Sequence, residues 1–168
     1  MRRPLIAALA CLASTPLLAA SALDTLPDPD TLFAHRDQVH ALVVALEEQP
    51  THENSNAVRA MLMDHYKPVD YLICGDVIGP LGENKHDAPV LLQLIIASGD
   101  WVEAHPDQAK DIDAYTLAGL ESGVRAYRNL LALDKDARNE LMDTLVKAYD
   151  ANTLSDWNKA HPCRPAKG

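Results

Sequence analysis

The stretch from Asp87 to Pro106, DAPVLLQLIIASGDWVEAHP, constrains the fold more than any other part of the chain. Its middle has a single polar residue, Gln93, so a helix here would be apolar on nearly every side and must be surrounded by other elements. Asp87 is suited to cap the start of this helix, and Pro106 prevents its continuation. At about 18 residues with charged ends, the helix is too short and too interrupted to span a membrane. We therefore expect a buried central helix over residues 87–105.

The first 22 residues have the three parts of an export signal. Arg2 and Arg3 are followed by an apolar run, and then by small residues at Ala20 and Ala22 that suit a signal peptidase. We expect cleavage after Ala22, which would place the mature protein in the periplasm or outside the cell. Cys11 offers a lipoprotein signal as the alternative, but that processing would leave a very short apolar region.

Cleavage after Ala22 would leave 146 of the 168 residues, the size of one domain with its own core. Residues 23–30, with two prolines and three aspartates, are expected to form an irregular lead-in to a single helical domain over residues 31–168. This mature chain has 13 basic and 24 acidic residues, a net charge of −11. Such a surface repels nucleic acid and anionic lipid and speeds the encounter with basic partners, although it also keeps an exported protein soluble.

Apolar residues recur at helical spacing in most of the chain, and no segment has a sustained alternating pattern. We expect an all-α domain of about six or seven helices. Besides the central helix, the predicted helices cover residues 31–48, 55–66, 107–133, 137–151 and 153–160. The run from Val69 to Ile78 also favours a helix, although a β-strand fits so short an apolar segment.

Two cysteines remain after cleavage, Cys74 and Cys163. An even pair in an oxidising compartment favours a disulfide, and because no CxxC motif is present, a metal or redox role is the weaker alternative. The bond would close a loop of 89 residues, worth up to about 4.5 kcal/mol of loop-closure entropy. It would anchor the tail of the chain to the core.

Small side chains form a stripe along the predicted helix over residues 107–133. Its members are Gly119, Ser122, Gly123 and Ala126. Small residues on consecutive turns let another backbone approach closely, so we expect the central helix to lie over this stripe. The alternative is a homodimer through the Gly119/Gly123 face.

Both tryptophans of the chain lie in the same pattern, DWxxAHP, at residues 100–106 and 156–162. In each copy Trp and His are four residues apart and so share one face of a helix. The pattern is typical of a helix that ends with an aromatic anchor, a histidine near the last carbonyls and a proline stop. A functional alternative is that the two endings lie side by side and form one surface for a ligand. That surface would consist of Trp101, His105, Trp157 and His161.

Known catalytic and metal-binding motifs are absent from the sequence, which has no GxSxG, SxxK, HExxH, EF-hand or CxxCH pattern. The glycine-rich segment before the central helix lacks the GxxxxGK[ST] spacing of a phosphate-binding loop. His35 and His40 are five residues apart and point to different sides of a helix, so they do not form a metal pair. We therefore expect no catalysis, no cofactor and no bound metal, although carboxylates that meet only in the fold escape such a search.

By elimination, the sequence predicts a periplasmic protein-binding module. Its most concrete form is an inhibitor or immunity protein that blocks a basic enzyme or toxin directed at the cell envelope. The exposed loop before the central helix would cover the partner's cleft, with Glu83 and Asp87 as charged contacts. The loop residues are Gly79, Gly82, Glu83, Asn84, Lys85, His86 and Asp87. The alternatives are a small-molecule or metal binder that uses the four Trp and His residues, and a structural component of an envelope assembly.

Overall fold

The helical periodicity of the sequence is realised as α-helices and short 3₁₀ turns, with no β-strand among the residues that the structure describes. A computed structural model describes residues 21–82 and 86–163, without the side chains at positions 76 and 77. The predicted signal peptide up to position 20, the loop residues Glu83, Asn84 and Lys85, and the tail after Cys163 lie outside these ranges.

The helices are α1 (Pro29–Leu32), α2 (Arg36–Glu48), α3 (Ser55–Tyr66), α4 (Gly75–Ile78), α5 (Ala88–Ala104), α6 (Ile112–Leu133), α7 (Glu140–Asp150) and α8 (Leu154–Ala160). The 3₁₀ turns are Gly79–Gly82, Pro106–Gln108 and Lys135–Ala137. The predicted all-α fold is confirmed.

The predicted central helix is α5, which begins and ends where the sequence indicates. Asp87 occupies the N-cap position, although its side chain does not make the expected capping hydrogen bond. Pro89 lies in the first turn, and His105 is the C-cap residue directly before Pro106. α5 packs against α2, α3 and α6, so it is surrounded as its apolar composition requires. No helix in the described part of the chain is long and apolar enough to cross a membrane.

The small-residue stripe of α6 is the contact surface for α5, as predicted. A Cβ atom added to Gly119 would lie 2.7 Å from the carbonyl oxygen of Leu94, and one added to Gly123 would lie 2.7 Å from Leu94 Cγ. The two helices therefore approach more closely than a side chain at either position would permit. Because α5 covers the Gly119/Gly123 face, a homodimer through this face would require α5 to move, and dimerisation stays a prediction.

The interior consists of two clusters of buried side chains that meet at α5. The N-terminal core contains side chains from α2 and α3 together with Ile96 and Ala97 of α5, and the lead-in residue Leu23 is fully buried in it. The tail-side core contains side chains from α6, α7 and α8 together with Val90 and Leu94 of α5. α5 is central because its residues take part in both clusters.

Cys74 and Cys163 form the predicted disulfide, with their Cα atoms 5.0 Å apart. Cys74 is buried in the tail-side core, and Cys163 packs against the same cluster. The bond connects positions 89 residues apart in the chain. It therefore ties the segment that follows α8 to the middle of the chain.

The segment from Val69 to Ile78 is not one helix, contrary to the prediction. Only its last four residues, α4, are helical, and residues 69–74 are irregular. Pro68 precedes the segment and cannot donate a backbone hydrogen bond. The amide of Leu72 donates to the hydroxyl of Tyr115, on α6, at 3.0 Å and not to a helical carbonyl. A tertiary contact thus overrides the helical spacing of the apolar residues.

Two predicted helix boundaries are also wrong. The helix predicted over residues 31–48 is divided into α1 and α2, and Phe33, between them, stacks on His65 of α3 with ring centroids 4.0 Å apart. α6 begins at Ile112, later than residue 107, because the Asp111 side chain accepts the amide of Ala114 at 3.0 Å and caps the helix there.

Candidate functional site

A cleft of about 430 Å³ lies between α2, α5 and α6. Its charged and polar side chains are Arg36, His40 and Glu47 of α2, Asp100 of α5, and Glu121, Ser122 and Arg125 of α6. Its apolar part includes Trp101 and the small residues Ala97, Ala104 and Ala118. Each helix supplies residues that are three, four or seven positions apart, which lie on one side of a helix. The packing of three helices therefore brings together charges that are far apart in the sequence.

Asp100 is the buried acid on the α5 side of the cleft, with 8% of its side chain exposed. Its Oδ2 accepts a hydrogen bond from His40 Nδ1 at 2.7 Å, and its Oδ1 accepts one from the Tyr66 hydroxyl at 3.2 Å. Arg36 Nη2 lies 3.7 Å from Oδ1 and donates to the backbone carbonyl of Asp100 at 3.2 Å. Burial and the negative charge of Asp100 raise the pKa of Tyr66, so its hydroxyl stays protonated and continues to donate.

Glu47 is the buried acid on the α2 side, again with 8% of its side chain exposed. Ser122 donates to Oε1 at 2.6 Å, while Arg125 donates through Nε to Oε2 at 2.6 Å and through Nη2 to Oε1 at 2.9 Å. The hydrogen bonds to Glu47 raise the pKa of the Arg125 guanidinium, which therefore stays charged. Gln93 of α5 donates to Ser122 at 2.9 Å and so extends this network to the central helix.

Three side chains of the cleft remain partly exposed to solvent and have hydrogen-bonding atoms that are not already used, unlike the two buried acids. About half of the Arg36 and His40 side chains is exposed, 42% and 56%. His40 is held through Nδ1, and its Nε2 makes no hydrogen bond within the described ranges. Glu121 is half-buried and makes no hydrogen bond or ion pair with any residue that the structure describes. The Arg125 side chain is also 41% exposed, but Glu47 engages it. A bound molecule would therefore meet a cationic group on α2 and, on α6, an unpaired acid beside a cation that is already paired.

The two DWxxAHP endings have the same local geometry. The His105 ring stacks on Trp101 with centroids 4.2 Å apart, and its Nδ1 donates to the Trp101 carbonyl at 2.8 Å. His161 stacks on Trp157 with centroids 4.1 Å apart and donates to its carbonyl at 2.8 Å. In both cases the tryptophan carbonyl also accepts the backbone amide of the histidine, at 3.0 and 3.1 Å, so the ring adds a second hydrogen bond to a carbonyl in the last turn of the helix. The shared pattern thus describes a way to end a helix.

The structure places the two endings at different sites. Trp101 and His105 line the cleft, whereas the lining of the cleft includes neither Trp157 nor His161. Trp157 packs instead against the tail-side core. Of the four residues expected to form a ligand surface, the structure therefore places one pair in the cleft.

The loop predicted to contact a partner is described only at its ends. Its described members are Gly79 and Gly82, in a 3₁₀ turn, and His86 and Asp87, before α5, while Glu83, Asn84 and Lys85 lie outside the described residues. Asp87 is 2% exposed and accepts a hydrogen bond from Asn139 Nδ2 at 3.1 Å. It is therefore not the exposed charged contact that the sequence led us to expect, because the connection between α6 and α7 covers it.

Sequence reasoning missed the charged residues of the cleft. Arg36, His40 and Glu47 lie on one stripe of an otherwise largely apolar helix, and this spacing was visible in the sequence. Asp100 follows the most apolar stretch of the chain, where a charged residue must find partners or reach water. Both features indicate charges at a helix interface, although neither identifies the partner helix.

The lining of the cleft contains one hydroxyl group, and that group is already engaged. The one hydroxyl among its lining residues, Ser122, is buried and donates to an acid that Arg125 already holds, so it is not poised to attack a ligand. Within the described ranges, no three side chains of His, Cys, Asp or Glu come together in a way that could hold a metal ion. No protein-family model, no curated protein and no solved structure matches this chain, so the cleft is the feature from which a function can be inferred.

Proposed function

We propose that this is an exported small-molecule-binding protein whose ligand occupies the cleft between α2, α5 and α6. The observation that supports the proposal is the convergence of accessible charged groups from two helices on one cleft, at Arg36 of α2 and Glu121 of α6, with the His40 imidazole beside Arg36. The volume of about 430 Å³ falls within the range of small-ligand sites, roughly 300–1,000 Å³. Such sites combine an apolar lining with a few fixed polar groups, and here Trp101 and three alanines supply the apolar part.

The polar groups of the cleft are held in place before a ligand arrives. Asp100 fixes the His40 ring through Nδ1, and Glu47 fixes the Arg125 guanidinium through two hydrogen bonds. Groups that are fixed in advance lose less conformational entropy when a ligand binds. The two buried acids thus support recognition by orienting side chains, without contacting the ligand themselves.

Single-tryptophan variants test the proposal, because Trp101 lines the cleft and Trp157 does not. Since the chain has two tryptophans, Trp157→Phe leaves Trp101 as the only emitter, and Trp101→Phe leaves Trp157 as the matched control. The mature variants are titrated with a panel of amino acids, amines, carboxylic acids and sugars. We expect at least one member to change the Trp101 emission saturably and to leave the Trp157 emission unchanged. If no member changes the Trp101 emission, or if both variants respond equally, the proposal is wrong.

A second function, an inhibitor or immunity protein for a basic partner, is supported by the charge of the chain. The predicted mature chain has 13 basic and 24 acidic residues, a net charge of −11 that would attract a basic enzyme at low ionic strength. The described ends of the loop are also fastened. Asn139 donates to Asp87 at 3.1 Å, and His86 pairs with Asp134 at 2.9 Å. Fixed ends present a loop at lower entropic cost, and Glu83 remains its candidate charged contact.

Affinity capture from a periplasmic extract, with the disulfide-bonded mature protein as bait, tests this second function. We expect one stoichiometric basic protein that binds at low salt and is released at high salt. Glu83→Lys should weaken the complex, while the same charge change at the exposed residue Glu53 should leave it nearly unchanged. Capture of several envelope components would indicate an assembly role instead. The absence of a complex with every basic lysozyme or toxin tested at low salt would exclude the inhibitor.

A further inference from the structure

The α2 side of the cleft has hydrogen-bond donors to spare. Arg36 uses Nη2 for the carbonyl of Asp100, and its Nη1 and Nε make no hydrogen bond with any residue of the described ranges. His40 lies one turn further along the same helix, and because its Nδ1 donates to Asp100, its unbound Nε2 donates only when the ring is protonated. A guanidinium with free N–H groups matches the two oxygens of a carboxylate, and a neighbouring imidazolium can add a second cationic contact. This side of the cleft is therefore suited to an acidic group.

The α6 side of the cleft offers the opposite charge at Glu121. The nearest cation along the helix is Arg125, one turn later, and it is engaged by Glu47 through two hydrogen bonds of 2.6 and 2.9 Å. Glu121 thus stays unpaired among the described residues, although it is half-buried. A carboxylate that is partly removed from water gains from a charged donor, and a ligand ammonium would supply one.

The two buried acids offset part of the cationic charge, because Asp100 lies 3.7 Å from Arg36 and Glu47 lies 2.6 Å from Arg125, but they are shielded from a ligand. Asp100 and Glu47 are each about 6% exposed as whole residues, and their oxygens already accept hydrogen bonds from the protein. An anion without a basic group would leave Glu121 unpaired, and a cation without an acidic group would leave the free N–H groups of Arg36 without an acceptor. A ligand with both groups satisfies both sides, while its apolar body contacts Trp101 and the alanines.

We therefore propose that the ligand is a small zwitterion of the amino-acid type, with its acidic group on Arg36 and His40 and its basic group on Glu121. This inference rests on the proposed function, because it names the ligand class of the same cleft.

A matched series of probes tests the inference. Phenylalanine carries both charged groups, 3-phenylpropanoate lacks the ammonium group, and 2-phenylethylamine lacks the carboxylate. Each probe is titrated into the mature Trp157→Phe variant, with the Trp101 emission as the signal. We expect phenylalanine to bind at least about ten times more tightly than either analogue, because a charge-assisted hydrogen bond contributes about a factor of ten or more. Equal affinities, or no binding of phenylalanine, would overturn the inference.

Glu121→Gln separates recognition of the ammonium group from general damage to the cleft. We expect this change to weaken phenylalanine by about tenfold and to leave 3-phenylpropanoate unaffected or slightly tighter. Glu140→Gln, at an exposed position of α7 outside the cleft lining, removes the same charge and should change neither affinity. A loss of equal size for all probes in Glu121→Gln would overturn the inference. If a panel ligand with one charge or none changes the Trp101 emission while phenylalanine does not, the inference fails and the proposed function stands; if no ligand binds, both fail.

Discussion

The C-terminal ends of α5 and α8 share a sequence pattern and a local geometry, yet of the two only the end of α5 lines the cleft between α2, α5 and α6. His105 and His161 are both C-cap residues, and each stacks on the tryptophan four positions earlier. The aspartates at the start of the two patterns differ, because Asp100 is buried against α2 and α3, whereas Asp156 is exposed. The local pattern therefore determines how a helix ends. The tertiary surroundings determine whether the aspartate of the pattern becomes part of a site.

The two endings are also held in place by different interactions. The α8 ending has Trp157 against the tail-side core and a disulfide at Cys163, two residues after His161. The α5 ending depends on the polar network of Asp100, with His40 and Tyr66 as donors. Apolar and covalent contacts fix α8 without leaving groups for a ligand. Tyr66 is fully buried, but the His40 side chain is 56% exposed and lines the cleft, so the polar network accompanies the candidate function.

Removal of the disulfide should destabilise the protein and change the surroundings of the α8 ending. We expect the double change Cys74→Ala with Cys163→Ala to lower the free energy of unfolding by about 3–4.5 kcal/mol, because the unfolded chain regains the freedom of a closed loop of 89 residues. Urea unfolding, followed by tryptophan emission, measures the loss. In the single-tryptophan backgrounds, the native emission of Trp157 should change and that of Trp101 should stay the same. Chemical reduction of the unmodified protein is the control and should give a similar loss, and a loss below about 1 kcal/mol would contradict the argument.

The matching test on the α5 side compares the two aspartates. Asp100→Ala removes the acceptor of the buried Tyr66 hydroxyl and of His40, so we expect a loss of about 2–3 kcal/mol in the free energy of unfolding. Asp156→Ala, at the same position of the other pattern, should cost no more than about 0.5 kcal/mol because the side chain is exposed. Urea unfolding of the two variants under identical conditions gives the comparison. Losses of similar size would mean that burial of Asp100 does not distinguish the two endings.

The parts of the fold that could be predicted depend on residues close together in the sequence. Asp87, Pro89 and Pro106 define the bounds of α5, and the glycine spacing of α6 indicates a close helix contact. The disulfide was predicted from the two cysteines that remain in a chain predicted to be exported. Each of these predictions needs only spacing, side-chain size or a count of residues, which the sequence provides directly.

The cleft could not be predicted in the same way. It joins Arg36 of α2 to Glu121 of α6, which are 85 positions apart, and their proximity depends on how α2 packs across α5 and α6. Nothing in local spacing gives that packing angle. The irregular segment before Cys74 was not predicted for a similar reason. The backbone amide of Leu72 donates a hydrogen bond to the hydroxyl of Tyr115, which is 43 positions later in the chain. Contacts between distant positions compete with local preference, and the sequence does not show which one prevails.

The smallest expected effect concerns which ring nitrogen of His105 and His161 carries the proton. In this respect the two helix endings should be alike. A backbone carbonyl can only accept a hydrogen bond, so the Nδ1 atoms of His105 and His161 must carry the proton that reaches the tryptophan carbonyls at 2.8 Å. In their neutral forms both rings should therefore be Nδ1–H tautomers, unlike a solvated histidine, which favours Nε2–H. Long-range proton–nitrogen NMR correlations distinguish the two forms. His35, exposed and without a capping hydrogen bond, is the control and should show the ordinary mixture. If His105 has the Nδ1–H form and His161 does not, the two endings share only the stacking of histidine on tryptophan. In that case the surroundings of α5, and not the DWxxAHP pattern, fix the orientation of the His105 ring.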